Sequence, residues 1–163
     1  MYKLSEMLEM LEMQKDYVQK LRNHTTSYIK TIEKNQIETI LLSGSVSRGD
    51  AHPGKKGLNI DLIVMKKLKS KISVEKIFGK NENPFIPYHC VKWNNEWFQI
   101  LFTDFIDCNK FKELNEPRKF SIMESKIFYD PENKYKNEFK AIKKYPESVQ
   151  KILQFLVTQR NSQ

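Results

Sequence analysis

Ser43-Gly44-Ser45-Val46-Ser47-Arg48-Gly49, followed ten residues later by Asn59-Ile60-Asp61-Leu62-Ile63-Val64, decides how this chain is read. The first segment closes Ile37 to Leu42, a short apolar run whose length and β-branched content predict a buried strand. The chain must then turn sharply. Gly44, without a Cβ, lets the backbone approach a ligand. Ser45, Ser47 and the amides around them suit phosphate oxygens. Arg48 offers a planar fork for the same oxygens. On the second segment, a strand from Leu58 to Met65, residues 59 and 61 share one face because side chains alternate. Two carboxylates there would hold Mg²⁺ against a polyphosphate. This chain carries Asn59 and Asp61.

Working outward, residues 4–34 predict one long helix. Leu4, Met7, Leu8, Leu11, Tyr17, Val18, Leu21, Tyr28, Ile29 and Ile32 recur at three- and four-residue steps. Ser5 is a candidate N-cap, and Asn23-His24-Thr25-Thr26 a candidate break. Met7, Met10 and Met13 read as core packing. Between the two key segments lies a polar, glycine-containing loop to Gly57. Ser70 or Ser73 caps a short helix through Phe78, and a loop covers 81–87. Tyr88 to Trp93 and Trp97 to Thr103 alternate as strands, with Asn94-Asn95 as the hairpin turn. Lys110 to Leu114 predicts a short helix and Ser125 to Tyr129 a last strand. Glu132 to Lys144 and Pro146 to Arg160 predict two helices. The fold class is α/β (α+β), with helices packed on a small mixed sheet. It forms a single domain over 1–163, with a core at about 36–130 and a helical tail at 131–163.

Composition sets the outer limits. With 163 residues, of which 39% are hydrophobic, the chain can bury the core of one globular domain. Cys90 and Cys108 lack metal or disulfide spacing, which fits a reducing cytoplasm. No apolar run reaches bilayer length and no signal pattern opens the chain, so no membrane partner and a cytoplasmic location are expected. The net charge of +8 favours polyanions. The lysines are spread out, however, and no arginine-rich arm exists, so nucleic acid is possible but not favoured. His52 and His89 have no partners at ligand spacing and read as surface residues.

Gly44-Ser45 through Asn59-Ile60-Asp61-Leu62 resembles the signature of the DNA polymerase β-like nucleotidyltransferase superfamily. That group includes aminoglycoside and lincosamide nucleotidyltransferases and the minimal nucleotidyltransferases of bacterial toxin–antitoxin pairs. The likeness covers residues 37–65 closely and extends loosely to about 135. Trp97 to Phe102 resembles the strand that brings a third carboxylate, and Lys126 to Asp130 a later strand ending in aspartate. The resemblance implies transfer of a nucleoside monophosphate from an NTP, with ATP first in line, to a hydroxyl on a small molecule or protein. Gly44, Ser45, Ser47 and Arg48 would hold the nucleotide; Asp61, Asn59 and Gln99 would be the catalytic set; Asp61 and Asn59 would hold Mg²⁺. Two of those three positions carry amides, and an amide supplies neither charge nor a general base. Glu96 and Asp104 lie on the opposite strand face from Gln99; Asp50, in the loop, is the remaining substitute. The alternative expectation is therefore a degenerate relative that binds nucleotide, or a protein partner, without turnover.

Overall fold

The computed structural model describes residues 4–52 and 59–140. The helix expected over 146–160, the end of the one expected over 132–144, and the glycine-bearing part of the loop lie outside the described residues.

The elements run α1 (Leu4–Thr31), β1 (Ile37–Ser43), α2 (Gly44–Arg48), β2 (Asn59–Lys66), α3 (Val74–Phe78), β3 (His89–Trp93), β4 (Glu96–Asp104), α4 (Cys108–Glu113), α5 (Glu116–Met123), β5 (Lys126–Tyr129) and α6 (Lys134–Phe139). The fold is mixed α+β, with one five-stranded sheet in the order β3-β4-β2-β1-β5. β2 and β4 pair in parallel; the other neighbours are antiparallel.

β1 is flanked by strands on both edges and by helices on both faces. All seven of its residues are buried, the polar Glu38, Thr39 and Ser43 among them, as expected of a strand covered on both faces. Ile40, Leu42, Ile60, Leu62, Phe98 and Ile100 face α1 and pack with Val18, Leu21, Tyr28 and Ile29. The Tyr28 and Phe98 rings lie 4.2 Å apart, centroid to centroid. Leu41, Ile63 and Met65 face the other way, onto Phe105, Phe111, Ile122, Tyr135 and Phe139. The sheet thus separates α1 from α4, α5 and α6, while Val46 of α2 and Phe78 of α3 pack on the α1 side.

Local chemistry explains the boundaries. α1 continues through the expected break because Thr25 Oγ1 donates to Leu21 O, Thr26 Oγ1 to Arg22 O and Ser27 Oγ to Asn23 O. The polar side chains bond within the helix instead of competing with it. Ser5 lies inside α1 and is not its cap. Ser73 caps α3 by accepting from Lys76 N. Asn94 and Asn95 take positive φ, 47° and 68°, as a tight hairpin requires.

Further expectations are corrected. Leu4, Met7, Leu8, Met10, Leu11 and Met13 are 45–73% exposed, so the methionine stripe is not core. The first buried residue of α1 is Val18, and the helix overhangs the sheet for its first turns. His89 is buried rather than on the surface, and its Nε2 has no partner among the described residues. The stretch 44–48, expected as a turn, is a short helix, and 116–123 forms α5, which was not anticipated.

Candidate functional site

The site begins where β1 ends. Ser43 pairs with Asp61 across the β1–β2 ladder. Gly44 then turns with φ +69° and α2 starts at once. A Cβ at Gly44 would collide with Asp61 Oδ2, so only glycine allows the bend to lie against that carboxylate. Asp61 in turn pairs with Gln99 in the parallel β2–β4 ladder, and Gln99 with Cys90 on β3.

These residues open into a cavity of about 710 Å³ between the sheet and α5. Ser43, Asp61, Ile63, Gln99 and Leu101 form the floor, and Gly44, Ser45 and Arg48 form one end. Asn115, Pro117, Arg118, Phe120, Ser121, Ile122 and Glu124 form the roof, and Tyr88 stands beside edge strand β3. Of the sequence-predicted residues, Gly44, Ser45, Arg48, Asp61 and Gln99 come together here. Asn59 and Ser47 do not line the cavity. Asn59 starts β2 opposite Trp97. Ser47 is buried, and its Oγ donates to Glu124 O at 2.9 Å, tying α2 to the end of α5. Asp50 lies outside the lining and pairs with Arg48. Asp130 bonds the backbone amides of Tyr135 and Lys136 at the start of α6.

Two further residues shape the site. Arg22, on α1, donates from Nε to Val46 O at 3.1 Å and from Nη2 to Ser47 O at 2.8 Å. It thereby satisfies carbonyls at the C-terminal end of α2, where a cation is favoured. At the opposite end, Ser43 makes no side-chain cap; its Oγ donates to Ser121 O instead. Glu124, at the end of α5, holds Arg48: Nη1 sits 2.9 and 3.0 Å from its two carboxylate oxygens. The Glu124 side chain is only 7% exposed. Nothing in the sequence marks either residue. A start signal for α5 does exist: Asn115 as N-cap, then Glu116 and Pro117 in the first turn.

The electrostatics follow from this packing. Burial pushes the Asp61 carboxyl up to about 6; the Arg48 guanidinium opposes the rise and Glu124 adds to it. Burial by itself would lower the pKa of Arg48, but its hydrogen bonds and ion pairs with Asp50 and Glu124 outweigh that and raise it. Burial, and then Asp61, raise the Cys90 thiol, consistent with the shared strand face.

The donor set does not fit a self-contained magnesium site. Among the described residues, no three His, Cys, Asp or Glu side chains converge. Asp61 supplies one carboxylate, Gln99 an amide, and both oxygens of Glu124 are engaged by Arg48. Mg²⁺ would need oxygens brought by a ligand.

Fold and site together define a mixed α+β domain with a cavity of mixed polar and apolar lining, roofed by a short helix. No protein-family model, no curated protein and no solved structure matches this chain.

Proposed function

We propose that this chain binds a nucleoside triphosphate, with ATP as the first ligand to test, through its polyphosphate in the cavity beside Gly44. The observation that carries this is the contact between the Gly44 backbone and the Asp61 carboxylate, inside a cavity that Ser45 and Arg48 also line. The uncapped start of α2 offers amide donors, and Ser45 adds a hydroxyl. Arg48 can exchange the oxygens of Glu124 for those of phosphate. An Asp61 pKa of about 6 makes its protonated form accessible near neutrality. As a carboxylic acid it donates to a phosphate oxygen instead of repelling it. On this reading the chain is a nucleotide-binding relative of the nucleotidyltransferases in which the acidic set has been reduced.

A second reading, nucleotidyl transfer to a hydroxyl of a small molecule or protein, is favoured by the same carboxyl. A base titrating near 6 is suited to taking a hydroxyl proton. The acceptor oxygen would bond the α-phosphorus, the bond to pyrophosphate would break, and Asp61 would hold the proton.

Calorimetry with ATP, with and without Mg²⁺, and label transfer from α-labelled ATP separate the readings. Binding indifferent to Mg²⁺ with no transfer supports the binding protein. Binding tightened by Mg²⁺ with transfer supports the enzyme. No nucleotide binding, together with salt-sensitive affinity for oligonucleotides, rejects both in favour of a nucleic-acid module.

A further inference from the structure

The cavity crosses the strands instead of following them. Its floor passes from Ser43 and Gly44 at the end of β1, over Asp61 on β2 and Gln99 on β4, to Tyr88 just before β3. In the order β3-β4-β2-β1, the outer two strands are three steps apart. At about 4.8 Å per step that is roughly 14 Å, enough to carry an extended nucleoside triphosphate from phosphate to base.

The two ends differ in chemistry. At the β1 end the polar groups are engaged: Arg48 with Glu124 and Asp50, and Ser43 with Ser121 O at 3.1 Å. These contacts fix the later part of α5. Arg118 lies six residues before Glu124, about 9 Å along a helix axis. It is exposed, and its side chain has no ion pair or hydrogen bond among the described residues. Tyr88 is 41% exposed and lines this end of the cavity. Leu101 and Pro117 extend the apolar surface. A second anion site here would need more donors. Pro117 has no N–H, and the Arg118 N–H already donates to Asn115 Oδ1 at 3.1 Å.

A phenol ring and a free guanidinium plane are what a flat heteroaromatic ring packs against. Resting on the polyphosphate reading above, we infer that Tyr88 and Arg118 form the base subsite, that the nucleotide lies across the strands with its phosphates at Gly44, and that purines are preferred. Purines present the larger ring face to stack. Stacking of one base on an aromatic side chain corresponds to roughly tenfold or more in affinity.

The test is calorimetry with ATP, CTP and inorganic triphosphate on the wild-type chain, Tyr88→Ala, Tyr88→Phe and Arg118→Ala. Wild type should bind ATP at least tenfold more tightly than triphosphate, with CTP between them. Tyr88→Ala and Arg118→Ala should bring ATP toward the triphosphate value while leaving triphosphate unchanged, and Tyr88→Phe should keep the preference. Both side chains are solvent-facing, so unchanged melting curves will verify that the variants fold. Equal affinity of wild type for ATP and triphosphate overturns the base subsite while the polyphosphate reading stands. Loss of triphosphate binding in Arg118→Ala makes that residue a phosphate contact and also overturns it. Failure of wild type to bind any of the three removes the reading on which it rests.

Discussion

Asp61→Asn removes a charge that the fold holds at a cost, and the structure sets the size of the effect. Burial lifts the carboxyl from 3.8 to about 6. At 1.36 kcal/mol per tenfold change in proton affinity, that corresponds to about 3 kcal/mol. Access of solvent through the open cavity reduces the expected figure to about 1–2 kcal/mol. The sign follows from proton linkage. Below pH 3.8 the folded and unfolded chains both hold the proton, and nothing is lost. Between 3.8 and about 6 the unfolded chain releases it first, so the folded chain binds more protons and stability falls as pH rises. Above that window the penalty is complete. The asparagine variant should therefore be more stable than wild type at about pH 7.5, with the gain shrinking toward about pH 4.5. Urea unfolding followed by far-ultraviolet circular dichroism at both values measures this, provided the slopes agree. On the binding reading, affinity for ATP at about pH 7.5 should hold or rise in the same variant, since the asparagine amide donates to a phosphate oxygen as the carboxylic acid does and carries no charge to repel it. A variant less stable at neutral pH, or a difference that ignores pH, would falsify the electrostatic account.

Three further outcomes are expected. Gly44→Ala should cost about 2 kcal/mol, from the left-handed backbone and the collision with Asp61. A double-mutant cycle with Asp61→Ala should recover the collision part, and strict additivity would mean that the close approach is absent. Arg22→Met should cost about 2 kcal/mol in thermal unfolding, because two bonds from a charged donor to α2 carbonyls disappear. A neutral result would show that α2 holds itself. Leu8→Ser, on the exposed overhang, should change stability by less than about 0.5 kcal/mol, whereas Leu21→Ala, 1% exposed, should cost about 2–5 kcal/mol. Similar costs in urea unfolding would mean that the overhang is covered in solution.

The central strands were legible because burial on both faces leaves short runs rich in apolar residues: Ile37 to Leu42 and the residues flanking Asp61 announce a core on both faces of the sheet. The family resemblance, not the alternation, put Gln99 beside Asp61, and the ladder pairs the two. Short helices leave little trace. α2 has five residues, fewer than two turns, and α5 has eight with few apolar positions. Missing α5 meant missing the roof, and with it Glu124 and Arg118. Arg22 was invisible for another reason: an arginine on a helix reads as solvated until the carbonyls it reaches are known. The methionine stripe marks the opposite limit. Its spacing identified a helix correctly, but spacing does not reveal whether anything lies against that face.

The pairing of β5 with β1 has a consequence for how the protein is made. Residues 126–129 dock beside residues 40–42, so this edge of the sheet stays bare until residue 129 has left the ribosome. α5 immediately precedes β5 and emerges just ahead of it. Gly44 and Asp61 can meet early, as neighbours on adjoining strands. The compartment above them is enclosed only late in synthesis, and a nascent chain halted near residue 110 would carry the bend and the acid with no chamber to serve.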